Sequence, residues 1–172
     1  MLPIDLDGRN GRRCVRSYNA QIEEGEDVIQ LTEEMREVVD GAAGRGYACV
    51  IATASADGEP GVGFKGSMIV FDGESLAYWE RSKRSILDHI EENPRVVVLA
   101  ADTTQHVYLR FHGTASIHRD GAIRDDVAGR VPTAEFERDP NGYAIVIAVD
   151  RVTNLGGEVL QERAARAGVD GR

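Results

Sequence analysis

Ala48-Cys-Val-Ile-Ala-Thr-Ala-Ser-Ala-Asp57-Gly-Glu-Pro60-Gly-Val-Gly-Phe-Lys65-Gly-Ser67-Met-Ile-Val70 reads as a β-branched run, a turn and a glycine-rich return. Tyr47 to Ala54 predicts a first strand, and Asp57-Gly58 with Pro60 predicts the turn. Gly61 to Phe71 predicts a return strand, or two short ones broken at Gly66. A second Asp-Gly pair, Asp72-Gly73, turns the chain into Leu76-Ala-Tyr-Trp-Glu80. A helix from about Ser85 to Glu92 buries Ile86, Leu87 and Ile90, and Asn93-Pro94 stops it. Arg95 to Ala101 is nearly continuously apolar, which predicts a strand covered on both faces. His106 to His118 alternates, with Val107, Leu109 and Phe111 on one face and His106, Tyr108, Arg110 and His112 on the other. Residues 120–138 read as helical or irregular, broken by Pro132, and Tyr143 to Val152 is a last strong strand. About six antiparallel strands joined by hairpin turns predict a mainly β (α+β) barrel, because closure removes exposed edges. No βαβ rhythm supports a doubly wound nucleotide fold.

Outward from this centre, Thr32 caps a predicted helix whose Leu31, Met35, Val38 and Val39 fall near one face, and Gly41, Gly44 and Gly46 end it. Residues 1–30 lack clear periodicity and read as an N-terminal extension. Residues 31–157 hold the barrel, and residues 158–172 a C-terminal helix or tail, the helix expected over Glu158–Ala167. At 172 residues, one domain with a real core is expected. The net charge of −9 argues against binding nucleic acid or anionic membrane. No stretch approaches the roughly 20 apolar residues of a membrane span, and the start has no secretory signal pattern. Cys14 and Cys49 suit a reducing cytoplasm without a disulfide frame, Cys14 as an exposed thiol among arginines and Cys49 as a buried one.

Both lysines of the chain lie in two clusters, Phe64-Lys65-Gly66-Ser67-Met68 and Trp79-Glu80-Arg81-Ser82-Lys83-Arg84-Ser85. In the first, glycines at 61, 63 and 66 strip side chains from a strand edge, so that a flat ligand can lie against backbone N–H and C=O groups; the alternative is a glycine-eased bend. In the second, three cations precede a helix whose free amides and dipole favour an anion; the alternative is a plain cap at Ser85 with Asp88, and solvated cations. Arg110 is a further cation directed at a phosphate from a neighbouring strand. Histidines six residues apart on a strand lie about 20 Å apart, too far for one ion, so no metal site is expected. Neither a nucleophile–base motif nor a P-loop occurs.

The order of these pieces resembles the flavin-binding split barrels related to pyridoxamine 5′-phosphate oxidase, from about Leu31 to Val152. The resemblance rests on Val50-Ile-Ala-Thr53, Asp57-Gly-Glu-Pro60, Phe64-Lys-Gly-Ser67, Leu76-Ala-Tyr-Trp79, Ile90-Glu-Glu-Asn93-Pro94 and Phe111-His-Gly-Thr-Ala115. It implies a six-stranded antiparallel split β-barrel with flanking helices, and a homodimer binding FMN at the subunit interface. Phe64, Lys65, Gly66, Ser67 and Met68 would line the ring. Trp79 and Glu80 would flank the ribityl or phosphate end, and Arg81, Lys83, Arg84 and Ser85 would grip the phosphate. Lys65 is expected to stabilise the reduced ring. The function implied is an FMN-binding oxidoreductase acting on a small molecule, with no side chain assigned as acid or base. The alternatives are a deazaflavin-dependent reductase, or a flavin- or haem-binding carrier or sensor without turnover. The oxidase's Ser-Arg-Lys triplet is displaced here, and its C-terminal Trp/Arg signature has no counterpart in Arg151–Arg172, so pyridoxamine-phosphate oxidation is not expected.

Overall fold

The computed structural model describes residues 29–164. It opens with helix α1 (Glu33–Asp40), where the Thr32 hydroxyl accepts the Met35 N–H at 3.3 Å. Met35, Val38 and Val39 are buried on one face of this helix, and the glycine-rich segment 41–46 turns the chain after it. The decisive hairpin follows: β1 (Cys49–Ala54) pairs with β2 (Pro60–Lys65) from Cys49↔Lys65 to Ala54↔Pro60. After Gly66 the chain continues as the short β3 (Ile69–Val70) and then β4 (Ser75–Glu80). Helix α2 (Ser85–Glu92) leads to β5 (Arg95–Asp102) and β6 (Val107–His118). Helices α3 (Gly121–Arg130) and α4 (Thr133–Arg138) form an excursion before β7 (Tyr143–Asn154) and β8 (Val159–Glu162).

All pairings are antiparallel, in the order β2-β1-β5-β6-β7-β4-β3, with β8 beside β7. The sheet curls into a half-barrel, so the mainly β split-barrel architecture is the observed one, with β3 and β8 as short additions to the six longer strands. Inside the curl Ile51, Leu76, Tyr78, Val98, Phe111, Ile145 and Ile147 are fully buried, and α1 and α2 close over them with Met35, Val39, Ile86 and Ile90. A second, smaller core lies on the opposite face of β4 and β7. There Trp79, Ala77 and Ala144 meet Val127, Val131 and Phe136 of the helical excursion.

Two expectations are corrected. The apolar run of β5 is not covered on both faces: Val96, Val98 and Ala100 are buried, while Val97, Leu99 and Ala101 are half-buried, because no element among the described residues lies over them. The doubly covered strand is β4, buried from Leu76 to Glu80 between the two cores. The helix expected over Glu158–Ala167 is replaced in its first half by β8. Beyond Ala148, β7 has no β4 partner, and β8 satisfies that open backbone through Arg151↔Glu162 and Val152↔Gln161. The second half of that helix lies largely outside the described residues, as do residues 1–28 of the N-terminal extension and Cys14. Ile29 is buried in the main core, and Gln30 exchanges hydrogen bonds with Gln161 of β8.

Candidate functional site

The end of β2, the end of β4 and the turn 81–84 meet through buried polar groups. β3 pairs with β4 only as far as Ala77, so the backbone of Trp79 on that edge needs another partner. Ser67 supplies it: its hydroxyl accepts the Trp79 N–H at 3.0 Å and contacts the Trp79 carbonyl at 3.3 Å. Two residues earlier, Lys65 turns inward, 9% exposed, and pairs with Glu80, itself 1% exposed. The Lys65 ammonium also sits 4.6 Å from the centre of the Tyr78 ring. The other Glu80 oxygen, Oε1, accepts from the Ser82 N–H at 2.8 Å and the Ser82 hydroxyl at 2.6 Å. Burial pushes the Glu80 carboxyl up, but the Lys65 charge and the hydrogen bonds from Lys65 and Ser82 outweigh it, so its pKa lies below the ordinary value. Burial, with the Glu80 charge second, pushes the Tyr78 phenol well above its usual range.

The turn itself is anchored to the helical excursion. Arg81 pairs with Glu135 at 3.1 Å, and Glu135 also holds Arg138 at 2.9 Å. Lys83 adopts a left-handed backbone (φ 46°), pairs with Asp139 at 3.4 Å and donates to the Asn141 carbonyl at 2.9 Å. Its ammonium lies 4.8 Å from the Tyr143 ring, which Arg119 approaches at 5.4 Å. Arg84 is the N-cap of α2, and no side chain caps the helix. Arg84 is exposed and makes no ion pair among the described residues. Ser85 does not act as the cap; it is the first helical residue, with its side chain exposed.

The predicted residues therefore separate into two shells. Phe64, 78% exposed, together with Arg84 and Ser85, presents at the surface, with Gly66 half-buried beside it. Lys65, Ser67, Met68, Trp79 and Glu80 are buried behind it. Trp79 belongs to the second core, donating its Nε1–H to the Asp139 carbonyl at 2.8 Å with Arg124 over its ring at 4.8 Å. Two of the glycines face inward as well. A Cβ on Gly61 would come within 2.6 Å of the Thr53 hydroxyl, and one on Gly63 within 3.4 Å of Ile86, so β2 is stripped of side chains on the side that receives α2. Its other side carries Val62, 69% exposed, and Phe64.

Arg110 is not brought to the turn. It pairs across the sheet with Leu99 and Thr153 and donates to the Leu155 carbonyl at 2.9 Å, whereas the turn begins beside Tyr143 at the other end of β7. Ten residues of strand separate the two levels, roughly 30 Å. Beside Arg110 on the half-buried outer face, His112 has its pKa lowered by burial and then by the charges of Arg151, Arg110 and Arg95. Glu135 and Asp139, which neutralise Arg81 and Lys83, escape a reading of the sequence. Their acidic character is visible, but nothing local says that residues more than 50 positions further along return to the basic turn.

Residues 31–156 match the family described as pyridoxamine 5′-phosphate oxidase. An uncharacterized protein of Methanocaldococcus jannaschii is 31% identical over 134 residues, covering 76% of this chain and 85% of its own. Among solved structures, a protein of Lactobacillus delbrueckii provisionally classed as a pyridoxamine 5′-phosphate oxidase is 29% identical, with a TM-score of 0.60 over 73% of this chain and 95% of that one. HupZ of Group A Streptococcus is 26% identical, with a TM-score of 0.60 over 74% of this chain and 96% of that one. Among the described residues no helix is long and apolar enough to cross a membrane.

Proposed function

The chain belongs to the pyridoxamine 5′-phosphate oxidase family, and from that membership we propose that it is an FMN-binding oxidoreductase acting on a small molecule. The observation that carries the reading is the start of α2, an uncapped helix N-terminus beside the exposed Ser85 and the exposed Arg84, which has no ion pair among the described residues. Helix amides and a free guanidinium are the donors a phosphate dianion takes. The residues present fit the phosphate end of FMN through Arg84 and Ser85, with Arg81 and Lys83 already engaged by Glu135 and Asp139. For the ring, Phe64 and the backbone at Gly66 are the accessible members of the predicted set.

Bound FMN would supply the electron-transfer chemistry, and the protein its binding, orientation and electrostatics. Lys65 enters this differently from the sequence expectation. Its charge is compensated by Glu80, so the pair offers a nearby ring little net field. No side chain is assigned as acid or base.

The second copy in a homodimer is the occupant that fits the outer face. Phe64, Val50 and Leu99 form one row across β2, β1 and β5, and Val62, Ala52 and Val97 the next. This apolar surface runs to the β2 edge, which no strand among the described residues pairs, beside the accessible ring residues, so a partner seated there would cover a flat ligand. Within one subunit Arg110 stands far from the phosphate turn, and only a partner could bring it near. The two-cysteine chain suits the reducing cytoplasm.

The test is to load the purified protein with FMN, riboflavin, a deazaflavin and haem in turn, and to read visible spectra and affinities. FMN should bind more tightly than riboflavin, and the bound flavin should be reduced by NADH, NADPH or a reduced deazaflavin. Uptake of haem with rejection of every flavin overturns the proposal. Flavin uptake without reduction by any donor identifies a carrier instead of an oxidoreductase.

A further inference from the structure

Glu80 is buried to 1% exposure, yet it carries a carboxylate whose two oxygens serve different parts of the molecule. Oε2 takes the ammonium of Lys65 at the end of β2, next to Gly66. Oε1 takes both the amide and the hydroxyl of Ser82, at 2.8 and 2.6 Å, inside the basic turn. A buried carboxylate is costly unless each oxygen is satisfied. Here satisfaction requires the turn 81–84 to fold back over the end of β4. We propose that Glu80 is a positioning residue for the phosphate-binding turn. It fixes the backbone at Ser82, so that Arg84 and the first amides of α2 are presented before any ligand arrives, and it joins that turn to the β2 end in one rigid unit. This rests on the reading of α2 as the phosphate site, and it adds a residue that cannot itself touch the ligand.

The geometry also explains why a carboxylate stands here. A neutral amide can accept from Ser82 but cannot compensate Lys65, and an aliphatic side chain can do neither. The Arg81–Glu135 and Lys83–Asp139 pairs hold the turn from its exposed side, with side chains of the two cations 38% and 33% exposed. Glu80 holds it from the buried side, where its own burial partly shields the hydrogen bonds from water.

The test compares Glu80→Gln with Glu80→Leu, each made in a Lys65→Met background so that neither leaves a buried, unpaired ammonium. The two differ at the turn, since glutamine keeps an acceptor for Ser82 and leucine removes it. The leucine form should bind FMN at least about tenfold more weakly than the glutamine form, while riboflavin differs by no more than about threefold. Equal losses for the two ligands, or none, overturn the assignment. In the flavin-free wild-type protein the Ser82 amide should be protected from hydrogen exchange, and it should exchange at least about tenfold faster in the leucine form than in the glutamine form. Ready exchange of Ser82 in the wild-type protein overturns the inference whatever ligand is bound. Protection there, with no flavin binding at all, keeps the positioning role and removes the proposed function instead.

Discussion

An ammonium beside a carboxylate in a dry core answers to different physics from one in water, and Lys65 and Arg84 stand at the two extremes. Lys65 is buried against Glu80, so removing either partner alone leaves an uncompensated charge, a loss of about 3–5 kcal/mol. Glu80 titrates below its ordinary value of 4.5 in the folded state. The unfolded chain therefore takes up the proton first as pH falls. The stabilisation is full above the unfolded value and disappears as pH drops through the lower folded one. Urea midpoints measured from about pH 6 down to about pH 3 should fall more steeply for the wild-type protein than for Lys65→Met/Glu80→Leu; parallel curves would remove the pair from the account. Arg84 is exposed and has no ion pair among the described residues, so its value lies in binding. Arg84→Ala should weaken FMN by about tenfold, the equivalent of one charge-assisted contact of about 1.5 kcal/mol, and leave riboflavin within about threefold. Lys83→Ala should affect FMN less, since Lys83 is spent on Asp139 and the Asn141 carbonyl. Fluorescence quenching at fixed ionic strength reads both ligands, and an equal loss for FMN and riboflavin places Arg84 away from the phosphate.

At the scale of elements, β2 shows how one strand serves two neighbours. Where α2 packs, the inward side of β2 is reduced to Gly61 and Gly63, ahead of the inward Lys65, and the Thr53 hydroxyl and His89 Nδ1 meet at 3.1 Å in the space that Gly61 leaves. A methyl group at Gly61 would stand 2.6 and 2.7 Å from those two atoms. Gly61→Ala should therefore cost about 1–3 kcal/mol as an overpacking change. Gly73→Ala, where an added Cβ meets nothing within 4 Å, should stay within about 0.5 kcal/mol of wild type. Chemical denaturation of the two variants gives the comparison, and similar midpoints would show that α2 does not lie tightly on β2. Cys49 belongs to the same inner layer: burial, then the Asp40 charge, pushes its thiol up to about 12, which fits a packing residue better than a reactive one.

For the whole molecule, the open question is what covers the sheet's outer face. Val62 and Phe64 are 69% and 78% exposed on a strand that, among the described residues, pairs only with β1, an arrangement isolated proteins avoid. The proposed homodimer makes a definite prediction. The wild-type chain should scatter light as a dimer of 18.7 kDa subunits, and Val62→Ser/Phe64→Asp should shift it to monomer and weaken flavin binding. A wild-type monomer that still binds FMN with full affinity would rule out the shared site. A monomeric variant with unchanged FMN affinity would separate dimerisation from cofactor binding.

The six longer strands, the two Asp-Gly turns and the helix Ser85–Glu92 were legible in the sequence, because period-2 alternation and turn residues act over a few positions. So was the grouping of glycines and cations into two clusters, and the family to which their order points. Tertiary structure decided what each member of those clusters does. Lysine at 65 and lysine at 83 look alike in a chain, yet one is buried on Glu80 and the other is tied to Asp139, while Arg84 has no ion pair among the described residues. The apolar run of β5 likewise does not say which of its faces this chain covers. The reason is the range of the forces. Backbone geometry and side-chain periodicity are local, whereas burial and charge pairing depend on segments 15 to 56 residues away, which only the curled sheet brings together.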